Sequence, residues 1–429
     1  MKASVKRKVK ESILAYLFLL PSLIVLGIFV FWPVGFSFVL SFFKWDFRNM
    51  KSPYFNGIDN YLKIFEFNYP PKFSFWNGLV YSISYVFLAI VIVLIFYSIL
   101  NLLKRKNFSI FLINIGVIFI SLFFISKANV YLMLLLDIFL FGVVLFDFRD
   151  SSIKSMFRKL VWINVSSIIF VYVLLETSKI SQNGLFMFFM DAKDKNLFMK
   201  ALVNTFYYVI LTVPITLLLS LIVAVLLNSN VRFKVFFRTS YFIPFVTSVV
   251  AVSLVWKWIF SDEFGLLNYF LSWFNIEGIR WLKDEKWTIP TIAIVSIWKQ
   301  IGYDAIIFLA GLQNIDQFYY EAAEVDGANS WQKFIKITWP LLSPTTFFLL
   351  IVSMIGAFKV FAQVYVLYDG LPGPYNNSGM TMVYYVFDLF YRQQRMGIAS
   401  AAAYLLFAVI LVFTAIQYKV GNKVVEYVS

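Results

Sequence analysis

Glu321-Ala322-Ala323-Glu324-Val325-Asp326-Gly327-Ala328, followed by Phe334, Ile337, Pro340 and Pro344, is a polar, turn-containing passage between two long apolar runs. Asp316 can cap a short helix reaching Glu324, because a carboxylate accepts hydrogen bonds from the free amides of a first helical turn. Asp326-Gly327 is a turn signal, since glycine adopts positive φ without steric cost. A second helix through Trp331, Phe334, Ile335 and Ile337 would present an aromatic and aliphatic stripe beside Lys333 and Lys336. Pro340 would stop that helix and Pro344 would open the next apolar run. The expected product is a helix-turn-helix knob. Either a partner docks on its ridge, or it lies on a bilayer surface as an amphipathic hairpin.

The surroundings of the knob are what give it meaning. The chain has 429 residues, of which 61% are hydrophobic, 21% aromatic and only 14% charged. A soluble domain carries roughly 25% charged residues, so this chain must use lipid as solvent. Its net charge of +14 does not mark a nucleic-acid partner. The Lys and Arg residues sit in short clusters between apolar runs, which fits anchoring at a membrane face. With no Cys and no His, disulfides, thiolate chemistry, imidazole catalysis and the usual zinc sites are excluded.

About ten segments reach the roughly twenty apolar residues needed to cross the hydrocarbon layer. They are 13–36, 78–103, 108–126, 128–146, 160–176, 202–227, 241–260, 289–312, 345–368 and 400–418. The basic start (Lys2, Lys6, Arg7, Lys8, Lys10) before the first resembles a signal peptide. Its apolar run is too long, however, and lacks a small-x-small cleavage site. It reads as a retained span, bent near Pro33. With the N-terminus in the cytoplasm, alternation puts Lys104-Arg105-Lys106 inside, together with Arg149, Lys154, Arg158 and Lys159. Arg232, Lys234 and Arg238, then Lys419 and Lys423, also fall inside, as the positive-inside rule requires. Loops 44–77, 177–201, 261–288 and 369–399 fall outside, and the knob at 313–344 is cytoplasmic, as are both termini.

One internal echo is visible. Phe75-Trp76-Asn77-Gly78-Leu79-Val80, with Tyr85-Val86, resembles Phe198-Met199-Lys200-Ala201-Leu202-Val203, with Tyr208-Val209. Four spans lie between the two, and an even number can be inserted without inverting anything downstream.

Glu-Ala-Ala-x-x-Asp-Gly-Ala, with Phe six residues on and then Ile-x-x-Pro-x-x-x-Pro, resembles the EAA loop of permease subunits in binding-protein-dependent ABC importers. Trp298, Gly302-Tyr303, Leu309-Ala310-Gly311-Leu312 and Ile315 look like the family's approach to that loop. Phe358, Phe361, Val364-Tyr365 and Gly397-Ile398-Ala399-Ser400-Ala401 look like its exit. Asn204-Thr205, Pro244, Trp256-Phe260, Pro21, Pro33, Phe43 and Gly57-x-x-Asn60-Tyr61 also fit. The pattern resembles the sugar-uptake branch, of maltose, lactose and glycerol-3-phosphate type, over about 13–77 and 196–429. Where the family usually has Gly-Gly-Pro, this chain has Asp369-Gly370-Leu371-Pro372-Gly373-Pro374, so its outer turn would meet a solute-binding protein differently.

The resemblance implies an all-α, polytopic membrane protein with three parts. Residues 1–77 would hold an N-terminal tail, the first span and an outer loop. Residues 78–195 would be a four-helix insert, and 196–429 the permease core. It also implies partners: a second permease, two copies of an ABC ATPase, an extracellular solute-binding protein, a sugar and the lipid bilayer of a prokaryotic inner membrane. No Gly-x-x-x-x-Gly-Lys-Ser/Thr phosphate cradle occurs, so ATP and Mg would be bound by the separate ATPase. This chain would hold no cofactor or metal and catalyse nothing. Carried onto these residues, Glu321, Ala322, Ala323, Asp326, Gly327, Ala328 and Phe334 form the ATPase-coupling element. Glu321 would offer a charge, the alanines would allow close approach, and Gly327 would fix the turn.

Charged groups inside spans suggest function. Lys299 and Asp304 in the eighth span, and Lys359 in the ninth, flank the knob, and Gln300, Tyr303, Ser353 and Gln363 add groups suited to sugar hydroxyls. Each also has a structural reading: Lys299 and Asp304 pairing across helix interfaces, Lys359 snorkelling, and Ser353 bonding its own helix. Lys257 reads as an interfacial anchor. Asp137 reads as a structural hydrogen-bonding group. The competing class is an ion-coupled secondary carrier or channel, which would leave the knob without a task.

Overall fold

The computed structural model describes residues 14, 16–79, 82, 184–229 and 232–424. The spans expected at 78–103, 108–126, 128–146 and 160–176 lie outside these residues, apart from 78, 79 and 82, and so does Asp137. Among the described residues the chain is all-α except for one two-stranded hairpin, Phe43–Lys44 (β1) with Tyr54–Phe55 (β2). Among the described residues, four helices are long and apolar enough to cross a bilayer, and two bent pairs raise the number to as many as six. Chain contacts divide the molecule into one unit of residues 1–66 with 196–429, and another of 67–195.

The first unit opens with helix Tyr16–Leu40 (α1), whose most apolar stretch buries nothing inside the protein. Just before Pro33, where a bend is expected, the helix widens into a π turn over Gly27–Phe31, in which the Trp32 amide reaches the Gly27 carbonyl. The widened turn absorbs the hydrogen bond that Pro33 cannot make. After β1 and β2 comes Asp59–Ile64 (α2). The second unit contributes Leu185–Ala192 (α3). The first unit then resumes with Leu197–Asn228 (α4), Lys234–Val246 (α5), Val249–Ile259 (α6), Leu266–Ser272 (α7) and Glu285–Gln313 (α8). Gln317–Val325 (α9), Ser330–Leu341 (α10), Ser343–Phe358 (α11), Ala362–Leu367 (α12), Met382–Phe387 (α13) and Met396–Val424 (α14) follow.

Helix α4 rises about 48 Å at 1.5 Å per residue, enough to cross a bilayer with some tilt. It is capped by Asn196, whose side chain accepts from the Met199 amide at 2.9 Å. The same side chain donates to the carbonyls of Ile64 and Glu66 at 2.9 and 2.8 Å. Its buried face carries Thr205, Tyr208, Thr212, Thr216 and Ser220, at helical spacing. Helix α8 answers with buried Thr288, Thr291, Ser296 and Asp304. Lipid tails give helices no hydrophobic reason to associate, so small and hydroxyl-bearing residues at the seam do it by close packing and hydrogen bonds. Ser220 Oγ donates across this seam to the Ile301 carbonyl at 3.1 Å.

The span expected at 241–260 is not one helix. Helices α5 and α6 meet at 99° across Thr247 and Ser248. Pro244 sits in the last turn of α5, and Thr247 is extended (φ −66°, ψ 142°). The carbonyls freed at this break are taken by the Lys299 ammonium, which donates to those of Pro244, Phe245 and Thr247 at 3.1, 2.6 and 2.8 Å. A cation at a helix C-terminus also meets the negative end of the helix dipole. Opposite it, Gly302 lets the backbones touch: a Cβ there would overlap the carbonyl oxygen of Tyr241.

Within the second unit the two ends of the segment are fastened together. The Asn68 amide donates to the Lys195 carbonyl at 3.2 Å, and Lys195 Nζ donates to the Pro70 carbonyl at 3.0 Å. Asp191 accepts from the Lys72 amide at 2.6 Å and from Lys195 Nζ at 2.9 Å. Burial pushes the Asp191 carboxyl up, but these donors outweigh it and hold the group below the usual carboxylate range.

Candidate functional site

The knob is built from its caps inward. Asp316 Oδ1 accepts from the Phe318 amide at 2.9 Å, starting α9. The helix ends in a Schellman motif. The Ala328 amide reaches back to the Ala323 carbonyl at 2.9 Å, the Gly327 amide to that of Glu324 at 3.0 Å, and Gly327 has φ +74°. That is the left-handed position glycine fills at least cost. Asn329 and Gln332 form a reciprocal capping box that starts α10. Two side-chain clips close the hairpin: Lys333 Nζ to Glu324 Oε1 at 2.7 Å, and Tyr320 to Thr338 through their hydroxyls at 3.0 Å.

Two expectations for this segment need correction. Pro340 does not stop the second helix. The helix widens into a π turn over Phe334–Thr338, with the Trp339 amide on the Phe334 carbonyl, and continues to Leu341. It then meets α11 at 61°. Phe334, expected on the outer ridge, turns inward. With Ile315 it packs against the cluster that includes Leu221, Leu227, Phe308, Leu312 and Leu342. Trp331 stacks on its outer side at 5.9 Å between ring centroids.

The outer face is therefore carried by other residues. Glu321, Ala322, Asp326 and Gly327 are exposed, Ala323 and Ala328 half-buried, and Phe318 and Trp331 exposed. Val325 is 88% exposed. No atom lies within 4 Å of a Cβ placed on Gly327, so the turn is open to a partner. Beneath, Gly311 of α8 seats the hairpin's far end: a Cβ there would meet Thr345 Oγ1 at 2.6 Å and Leu342 Cδ1 at 2.9 Å. Gly311 thus brings α8 into close contact with Leu342 and with α11 directly after the knob.

The seven polar candidates from the spans separate into groups. Asp304 is fully buried. It accepts from Gln300 Nε2 at 2.9 Å and from Ser353 Oγ at 3.3 Å, so it ties α8 to α11. Gln363 Nε2 donates to Ser296 Oγ at 3.2 Å and ties α12 to α8. Tyr303 stacks on Phe245 at 4.4 Å. Lys299 caps the break in α5–α6 and does not pair with Asp304. Lys359 is exposed at the end of α11. Lys257, expected only as an interfacial anchor, pairs with Asp369 at 2.5 Å. The hydroxyl row on α4 is absent from the sequence expectations, although Thr, Tyr and Ser at spacings of three and four within an apolar run are its signal.

The outer turn that departs from the expected Gly-Gly-Pro is held from several sides. Lys200 Nζ donates to the Asn376 carbonyl at 2.7 Å, and Asn204 Nδ2 to the carbonyls of Ser378 and Met380 at 3.0 Å each. Tyr384 and Arg392 both donate to the Gly370 carbonyl. Among the described residues, no group of three or more His, Cys, Asp or Glu could hold a metal ion.

Residues 184–426 match the family described as "Binding-protein-dependent transport system inner membrane component". The chain is 37% identical over 223 residues to the arabinooligosaccharides transport system permease protein AraP of Halalkalibacterium halodurans, covering 51% of this chain and 70% of that one. It is 36% identical over 230 residues to the lactose transport system permease protein LacF of Rhizobium radiobacter, covering 53% and 76%. It is 31% identical over 233 residues to the sn-glycerol-3-phosphate transport system permease protein UgpA of Agrobacterium fabrum, covering 54% and 78%. Among solved structures, a bacterial alginate ABC transporter in complex with an alginate pentasaccharide-bound periplasmic protein is similar with a TM-score of 0.48. The identity is 25%, over 64% of this chain and 99% of that one.

Proposed function

The chain belongs to the binding-protein-dependent transport system inner membrane components, and on that premise we propose how this importer's permease is driven and what it carries. It is a multi-pass, all-α membrane protein and the permease subunit of a binding-protein-dependent ABC importer. Its solute is a sugar or oligosaccharide, a reading supported by relatives named for arabinooligosaccharides and lactose. It pairs with a second permease, and two ATPase copies bind ATP and Mg and supply the hydrolysis. This subunit is non-catalytic. Residues 78–195 are an insert between the N-terminal part, 1–77, and the permease core, 196–429, and both termini lie on the cytoplasmic side of the inner membrane.

The observation that carries the coupling role is the exposed knob formed by α9, the Gly327 turn and α10. Glu321, Ala322, Ala323, Asp326, Gly327 and Ala328 face or flank the ATPase, while Phe334 holds the knob to the core from beneath. Closure of the ATPase dimer pushes the knob, and Gly311 and Leu342 pass the displacement to α8 and α11. Those helices carry Gln300, Tyr303, Asp304 and Ser353, which we place along the solute path with Lys299, Lys359 and Gln363. Reconstitution tests this directly. Uptake should require the added ATPase, the second permease and the solute-binding protein. Uptake by this chain alone in an ion gradient would sink the reading.

A further inference from the structure

Between α6 and α8 the chain makes a short excursion with an inverted distribution of polarity. From Phe264 to Ile276 there is no Asp, Glu, Lys or Arg. Helix α7 and the turn after it expose Tyr269, Phe270, Trp273, Phe274 and Ile276, with Phe274 75% exposed and Phe264 87%. The rings support one another: Tyr269, Phe270 and Trp273 lie 5.0 to 6.4 Å apart between centroids. Asn275 at φ +55° turns the chain back, and the Ile276 amide closes on the Leu271 carbonyl at 3.1 Å.

The polar atoms point the other way, toward the protein. Asn268 Nδ2 donates to the Ile279 carbonyl at 3.0 Å, and its Oδ1 accepts from the Ile279 amide at 3.1 Å and from Trp281 Nε1 at 2.9 Å. The charges are confined to the base, where Lys283 pairs with Asp262 at 2.9 Å. A hydrogen bond from the Lys283 ammonium to Asp262 raises its pKa above the usual lysine value.

The bond to Trp281 fixes the level of this finger. Trp281 lies 5.6 Å from Phe260, which follows α6 at its C-terminal cap, and 4.9 Å from Trp287, in the first turn of α8. The finger is therefore pinned at the ends of two membrane-crossing segments and does not stand clear of them. On α6, which leads into the finger, Leu254, Val255 and Trp258 are likewise exposed. Trp, Tyr and Phe with an apolar body favour the headgroup level of a bilayer, and a contiguous exposed apolar patch marks a binding surface.

We propose that Phe264–Ile276 is an interfacial anchor, seated in the headgroup–acyl boundary of the lipid bilayer, which fixes the depth of the outer limb of the broken helix. The partner is the lipid surface itself. The anchor does not depend on the solute or on the coupling mechanism, so it can fail while the importer reading stands.

The natural absence of cysteine makes the test clean. The full chain carrying F274C, labelled with a nitroxide, is reconstituted in phosphatidylethanolamine–phosphatidylglycerol vesicles, with E277C as the reference. At 274 collisions with oxygen should exceed those with a water-soluble nickel chelate, and at 277 the order should reverse. A label at 274 as open to nickel as the one at 277 would overturn the proposal. So would a label shielded from both reagents, which would mean that protein covers the patch. W273C, labelled in the same way, gives a second reading should F274C not fold.

Discussion

Gly302 touches the backbone of Tyr241, so the crossing of α5 over α8 has no room for a side chain. The first prediction follows from that relationship. Gly302→Ala forces two backbones apart in a packed interface, and overpacking of this kind costs about 1–3 kcal/mol or more. Thermal unfolding in detergent should show a clear fall in Tm, with uptake lost in proportion to assembled complex.

Gly327 separates backbone strain from docking. No atom of this chain crowds it, so Gly327→Ala should cost only the left-handed penalty of about 1–2 kcal/mol. Gly327→Asn, which tolerates that conformation, should transport nearly as the native protein does. Gly327→Trp should assemble but hydrolyse ATP without uptake, and unchanged transport by this variant would refute the assignment.

Lys299 should behave as a clamp on a broken helix. Lys299→Met takes the donor from three carbonyls, and a hydrogen bond to a charged group contributes about 1.5–3 kcal/mol. We expect reduced stability and poor assembly, partly restored in Lys299→Arg, as judged by size-exclusion yield and Tm. A variant with native stability and altered solute affinity would leave Lys299 with its solute-path role alone and remove the clamp.

Asp304→Asn keeps the shape of the side chain that joins Gln300 to Ser353. If the carboxylate serves the solute path, uptake should fall at least tenfold while Tm changes by only a few degrees. A tenfold loss corresponds to about 1.4 kcal/mol. Equal losses of Tm and uptake would assign the residue to helix packing alone.

Asp191 makes one pH dependence explicit. Its carboxyl is held below the ordinary range, so its contribution is present above the unfolded value of about 3.9 and is lost as pH falls through the folded pKa. Proteolytic susceptibility near residues 68–72 should rise on acidification below that value. Asp191→Asn should show the same susceptibility already at pH 7, with no further acid step.

Much of this was legible in the sequence because the signals were local. Asp316 caps α9, Gly327 turns the chain, and the apolar runs mark the helices, since each depends on a few neighbouring residues. The 99° break at Thr247 was not legible. The run 241–260 is apolar on both sides of the break, with Lys257 its one charged residue, and the ammonium that stabilises the break comes from Lys299, 52 residues from the Thr247 carbonyl it holds. The π turns were not legible for a related reason. Before Pro33 and Pro340 such a turn absorbs the missing amide bond, and nothing in a proline's immediate neighbours announces it. Phe334 turns inward because its ring meets the cluster around Phe308 and Leu342, a contact the local pattern does not carry.

The hydrogen bonds from Asn196 to the Ile64 and Glu66 carbonyls carry one more consequence. The first helix is held to the rest of its unit by several non-covalent ties. Tyr404 donates to the Val34 carbonyl, the Gly397 amide to Trp45, and the ring of Phe65 meets that of Phe198. Covalent continuity between Glu66 and Asn196 is therefore not what keeps that helix in place. The locus behaves as a seam in the polypeptide, at which a gene could be lengthened, trimmed or divided into two co-translated pieces while the parts still find each other.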